Sequence, residues 1–121
     1  MPLLEDFTMR EDQTETITFT LQYGGPHGGR PRDLTGVNKV ALSIIPSGGT
    51  GSIATINTTD HSTKIAISAA TSGEVTWTPA AGDVLQASSP YLYFFFVYVT
   101  ASVIEAYPNH KEVYIRVLKG L

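Results

Sequence analysis

The run Tyr91–Thr100, Tyr-Leu-Tyr-Phe-Phe-Phe-Val-Tyr-Val-Thr, sets the tightest limit on what this chain can become. Aromatic and β-branched side chains pack well on a pleated strand and lose freedom in a helix. The apolar stretch is far short of the roughly 20 residues a membrane helix needs. A strand alternates its side chains, so Tyr91, Tyr93, Phe95, Val97 and Val99 share one face, and Leu92, Phe94, Phe96 and Tyr98 share the other. Both faces are apolar, whereas a strand in a two-layer stack normally buries one face and wets the other. At roughly 25 cal/mol per Å² of buried apolar area, two Phe rings and a Tyr left in water forgo several kcal/mol. The second face therefore points to an interface. Phe94, Phe96 and Tyr98 form the outward set with Tyr93 and Phe95 inward, or the two faces are reversed. In the competing reading the chain covers that face itself, with an N-terminal arm (Leu3, Leu4, Phe7) or a long loop.

The same period of two recurs along the sequence. In Thr14–Gln22, Ile17, Phe19 and Leu21 face opposite to Thr16, Thr18 and Thr20. Val37–Ile45 places Val40, Leu42 and Ile44 on one side, and Glu112–Leu118 alternates in the same way. Ile53–Asn57 and Lys64–Ser68 read as shorter strands, with Thr58–Ser62 between them as a hairpin turn. Gly73–Thr78 carries Val75 and Trp77 on one face. Ser102–Tyr107 either continues the aromatic strand after a turn or stands as a strand of its own. The Gly- and Pro-rich segments Gly24–Arg32 and Pro46–Ser52 are loops. Pro79–Pro90 is a connection with room for one helical turn at Ala80–Leu85. Residues 1–12 are an ordered first strand or a loose, partner-binding arm. Seven to eight short strands without a three-turn helix predict one all-β domain over residues 1–121, as a sandwich or a small barrel.

No catalytic or metal-binding pattern stands out. The chain has no cysteine, so a disulfide framework, a thiol nucleophile and a cysteine metal site are all excluded. His27, His61 and His110 are far apart and lack ligand spacing. No serine sits in a nucleophile elbow. Asp33, Asp60, Asp83 and Glu105 show no spacing that argues for a carboxylate pair, and no calcium loop is present. Pro46–Ser52 lacks the lysine and the following helix of a phosphate-binding loop. Asn57-Thr58-Thr59 matches a glycosylation acceptor, which carries little weight without a secretion signal. The start of the chain has no cationic segment followed by an apolar one, so a non-exported soluble protein is expected. The net charge is −3, and only 16% of residues are charged. That balance does not suit a phosphate backbone, and low charge fits a surface covered by neighbours in an assembly.

Three local patterns occur in order: Asp33-Leu34-Thr35-Gly36; Gly73-Glu74-Val75-Thr76-Trp77-Thr78-Pro79 followed by Gly82-Asp83-Val84-Leu85; and Pro90-Tyr91 opening the aromatic strand, with Tyr107-Pro108 before a last strand ending at Leu118. Together they resemble the N-terminal, immunoglobulin-like domain of phage baseplate upper proteins and related small phage or prophage tail proteins. The resemblance spans about Thr14–Leu118. The chain departs from it in the longer Gly24–Arg32 loop and in Ser88-Ser89-Pro90, which replaces a glycine before the tyrosine. Read as fold markers, Asp33 caps a turn and Gly36 supplies a positive φ. Trp77 fills the core, and Tyr91 is placed for a tyrosine corner, its hydroxyl bonded back to the preceding connection.

The expected fold is therefore an immunoglobulin-like antiparallel β-sandwich. The resemblance implies a non-enzymatic virion structural protein, a tail, baseplate or fibre-adaptor component assembled in the host cytoplasm. Its expected partners are a second copy of itself or other tail and baseplate proteins, with no cofactor, nucleic acid or membrane. The alternative is a carbohydrate-binding sandwich that stacks sugars on exposed tyrosines.

Overall fold

A computed structural model describes residues 4–23, 30–46, 54–86, 89–108 and 111–120. These contain β1 (Phe7–Arg10), β2 (Ile17–Thr20), β3 (Lys39–Pro46), β4 (Ala54–Asn57), β5 (Ile65–Ala69), β6 (Glu74–Trp77), β7 (Tyr91–Tyr98), β8 (Ile104–Tyr107) and β9 (Val113–Leu118). The strands form a six-stranded sheet in the order β1-β9-β7-β3-β4, with β8 also on β7, and a three-stranded sheet in the order β2-β6-β5. Strands 3, 7 and 9 in one sheet and 2, 6 and 5 in the other give the crossing pattern of an immunoglobulin-like sandwich.

The core is built from alternate residues of both sheets. Phe19, Val75, Trp77 and Ile65 come from the smaller sheet, and Val40, Leu42, Tyr93, Phe95, Val97, Val113 and Ile115 from the larger; each is at most 1% exposed. The β3–β7 ladder fixes the assignment of faces. Val40, Leu42 and Ile44 sit opposite Val97, Phe95 and Tyr93, all buried. Phe19 joins the layers, with its ring centroid 5.1 Å from Phe95 and 5.7 Å from both Phe7 and Tyr93.

Four features depart from the sequence expectations. There are nine strands, because Phe7–Arg10 is ordered and Ile104–Tyr107 is a strand of its own. β8 pairs with the C-terminal half of β7 and β9 with its N-terminal half, so two short strands share one edge. β1 runs parallel to β9, Phe7 opposite Ile115 and Arg10 opposite Leu118, so the larger sheet is not wholly antiparallel.

The third departure is at Thr58–Ser62, which is not a hairpin turn. β4 pairs with β3 and β5 with β6, so this segment carries the chain from one sheet to the other. The Asn57 side chain accepts hydrogen bonds from the Thr59 and Asp60 amides. The His61 amide donates to the Asn57 carbonyl, and His61 Nδ1 accepts from the Asn57 amide. That bonding coils the backbone into a single tight bend, which breaks the ladder a hairpin would continue. Fourth, residues 80–83 close as a turn rather than starting a helix. Asp83 N–H donates to the Ala80 carbonyl, the Asp83 carboxylate accepts from Ala80 N–H, and Gly82 has φ +89°. Most of the two expected Gly-rich loops, residues 24–29 and 47–53, lies outside the described residues.

Glu11 ties the ends together. Its carboxylate accepts the backbone N–H groups of Gln86 (3.0 Å) and Gly120 (3.2 Å), and its own amide donates to the Leu118 carbonyl. The two carboxylate bonds, Gln86 first, draw its pKa below the ordinary value.

Candidate interaction surface

The outward face of the six-stranded sheet is where the β7 alternation leaves its second apolar set. Leu92, Phe94, Phe96 and Tyr98 are each half-buried, while Tyr91, Tyr93, Phe95 and Val97 between them are buried. Their neighbours on β3 are Ile45, Ser43, Ala41 and Lys39 in the same order. Ala41 and Ser43 point outward by register yet are only 2% exposed. These side chains are too small to fill their share of the surface, and the Phe96 and Phe94 rings across the ladder supply the cover. Those two rings meet edge-on, with centroids 5.0 Å apart. Lys39 Nζ lies 4.7 Å from the Tyr98 ring centroid, a cation–π contact that caps the end of the set.

Beyond Tyr98 the apolar surface continues onto the β7–β8 hairpin. Ile104 pairs with Tyr98 and is 50% exposed, and Val103 is 53% exposed. Among the described residues the N-terminal segment does not cover this face. Leu4 is buried in the core, Phe7 packs tilted against Phe19 and edge-on to Tyr93, and the Tyr93 hydroxyl donates to the Glu5 carbonyl at 2.6 Å. Leu3 lies outside the described residues.

The outer face of the three-stranded sheet has different chemistry. Thr18 pairs with Thr76, and Thr20 with Glu74. Thr16 and Thr78 share a hydroxyl hydrogen bond at 2.8 Å, and Ala66 and Ser68 are exposed. One outer face of the sandwich is thus threonine-rich and the other aromatic.

The fold markers occupy distinct local sites. Asp33 Oδ1 accepts from Thr35 N–H at 2.9 Å, and the Thr35 bonds hold the Asp33 carboxyl below its ordinary range. Gly36 follows with φ +78°. Trp77 is 1% exposed, between Ile17 and Ile65. The Tyr91 hydroxyl accepts from Leu85 N–H at 2.9 Å, six residues back along the connection. The four carboxylates weighed as a pair have separate partners: Asp33 with Thr35, Asp60 with Asn57, Asp83 with Lys64, and Glu105 with Arg32. Among the described residues no group of three or more His, Asp or Glu side chains could hold a metal ion. No helix there is long and apolar enough to cross a membrane. His27 and His110 lie outside the described residues.

A polar cluster at the β8 end was not legible in the sequence. Arg32 Nε donates to Glu105 Oε1 at 2.9 Å, the Tyr107 hydroxyl donates to the same oxygen at 2.8 Å, and the Tyr23 ring meets Tyr107 edge-on. Tyr23 and Arg32 are distant along the chain from Glu105 and Tyr107, and only the folded sandwich brings the two pairs together. Tyr23, at 41% exposed, is the one strongly exposed aromatic among the described residues, and a sugar platform would need more.

The Arg32 hydrogen bond holds the Glu105 carboxyl below its ordinary pKa, with the Tyr107 hydroxyl and the Arg32 charge acting in the same direction. Burial, then the Glu105 carboxylate, pushes the Tyr107 phenol up to about 12. A carboxyl with a depressed folded pKa stabilises the fold above its unfolded value, near pH 4.3 for glutamate, and that share is lost as pH falls through the folded value. Glu105→Gln is therefore expected to flatten the acid limb of the stability profile, measured by urea unfolding at stepped pH. Glu11 and Asp33 retain the rest of the slope. An unchanged acid limb would mean that the Arg32–Glu105 pair contributes nothing to folding.

Comparisons with family models, with curated proteins and with solved structures found no match to this chain.

Proposed function

We propose that this chain is a non-enzymatic structural protein that acts by assembly, associating with a second copy through the outer face of its six-stranded sheet. The observation that carries this reading is the contrast between the two outer faces, threonine-rich on one side and aromatic on the other. A two-layer sandwich needs only its inner faces to be apolar, and an additional apolar face bounded by polar residues marks a contact surface. Aromatic side chains are also the residues that interface cores favour. On the sequence resemblance, the assembly is a phage or prophage tail, baseplate or fibre adaptor, and the protein belongs to the virion.

Sedimentation velocity over a dilution series tests the association. The wild-type chain is expected to gain mass with concentration, and Phe96→Ser is expected to remain monomeric over the same range while still folded. A wild-type chain that is monomeric at every concentration overturns self-assembly. A Phe96→Ser chain that still associates moves the contact off this face.

A further inference from the structure

The backbone groups on the outer edge of β8 follow from its ladder with β7. Val99 N–H donates to the Val103 carbonyl at 2.9 Å, which sets the phase of the β7–β8 ladder. In an antiparallel ladder hydrogen-bonded pairs alternate with non-bonded ones. Val97–Glu105 and Phe95–Tyr107 are then the bonded pairs, and the N–H and C=O groups of Ile104 and Ala106 turn away from β7. Among the described residues no strand lies on that side of β8.

Edge strands usually carry a guard against pairing: a charge, a proline, a bulge or polar cover. The other edges have one. β1 presents Thr8 and Arg10, β2 presents threonines, β4 presents Thr55 and Asn57, and β5 has a bulge between Ile67 and Ala69. β8 presents Ile104 and Ala106 beside the exposed Val103, and its one charge, Glu105, sits level with the buried Val97 on the inner side, where Arg32 meets only one of its oxygens. A cleft lined by Tyr23, Tyr107, Pro108 and Lys111 runs alongside.

We propose that this edge receives an extended segment of a different protein as an added strand, with a lysine or arginine opposite Glu105. Main-chain hydrogen bonds to Ile104 and Ala106 supply the pairing, and the cleft takes side chains from one face of the incoming strand. A second copy fits this edge less well than a different protein in the register that uses both outward residues. A two-fold antiparallel pairing that uses Ile104 and Ala106 on both sides sets Glu105 directly against Glu105 of the other copy. Like charges opposite one another are unfavourable, and the chain already carries a net charge of −3. Both Glu105 contacts fall on Oε1, which leaves Oε2 for a cationic side chain. The pairing uses the backbone edge of β8, which adjoins the outer face proposed above at Ile104 and Ala106, and it stands whether or not the chain self-associates.

The test is a selection on the full chain from a library of disulfide-closed β-hairpin peptides with a randomised free strand. Bound hairpins are expected to carry Lys or Arg at the position opposite Glu105. They are expected to slow amide exchange at Ile104 and Ala106 by about tenfold or more. Ala106→Pro removes only an outward N–H, a change that edge strands tolerate, and is expected to abolish binding without unfolding the domain. Ile104→Lys supplies the missing edge charge and is expected to do the same, which keeps the test valid if the proline variant fails to fold. The proposal is overturned if no hairpin prefers the wild type to these variants. It is equally overturned if the selected hairpins leave exchange at Ile104 and Ala106 unchanged.

Discussion

Gly73→Ala is expected to cost about 3–4 kcal/mol in urea unfolding, far more than one added methyl usually does. Gly73 caps the short 3-10 turn Ala70–Ser72 and leads into β6 with φ +69°. A left-handed φ alone costs a non-glycine residue about 1–2 kcal/mol. Sterics add to this, because a Cβ at Gly73 would lie 2.7 Å from the Leu21 carbonyl oxygen and 2.8 Å from that of Arg32. Both obstacles are backbone, so no rotamer change relieves them. Two hydrogen bonds hold these backbones, Leu21 N–H to the Gly73 carbonyl and Arg32 N–H to the Leu21 carbonyl, each 2.8 Å long. Displacing both loses about 1 kcal/mol each.

Gly36 and Gly82 provide the control. They also have positive φ, yet a Cβ at either would meet nothing within 4 Å. Alanine there is expected to cost only the conformational share, about 1–2 kcal/mol. If all three variants unfold at the same urea concentration, the close approach at Gly73 is not what constrains it.

Gly73 also shows where the sequence stops being informative. The Gly-Glu-Val-Thr-Trp pattern was visible as the start of a strand, but the two carbonyls that exclude a side chain come from residues far away in sequence. Local periodicity gave the strands well, because a two-residue alternation is set by which face is buried. Tyr93 and Phe95 are buried and Phe94, Phe96 and Tyr98 lie outward for that reason. Pairing was less legible. Ile53–Asn57 and Lys64–Ser68 look like the arms of a hairpin, and nothing local shows that a bend at Asn57–His61 sends them to different sheets. β1 was ambiguous because four residues give too short an alternation, and its place is fixed by β9, more than a hundred residues on. The β8 edge was hidden for a related reason: an unpaired edge is defined by what lies beside a strand, and a single strand's sequence does not contain that.

Phe95→Ala and Phe96→Ala are neighbours in sequence and are expected to separate core from contact surface. Phe95 is fully buried, its ring packed against Phe19 across the two layers. Emptying that site is expected to cost about 3–5 kcal/mol, a large part of what a domain of this size has. Phe96 is half-buried, flanked by Ala41 and Ala106 and touching Phe94. Its removal opens no closed cavity and is expected to cost about 1 kcal/mol in the isolated chain. Association should show the opposite order, because a ring that shields little of its own core contributes most once a second surface closes over it. Urea midpoints read the first quantity and sedimentation over a dilution series the second. If Phe96→Ala unfolds as easily as Phe95→Ala, the outer face is already interior to the single chain, and its aromatic character is a matter of folding and not of assembly.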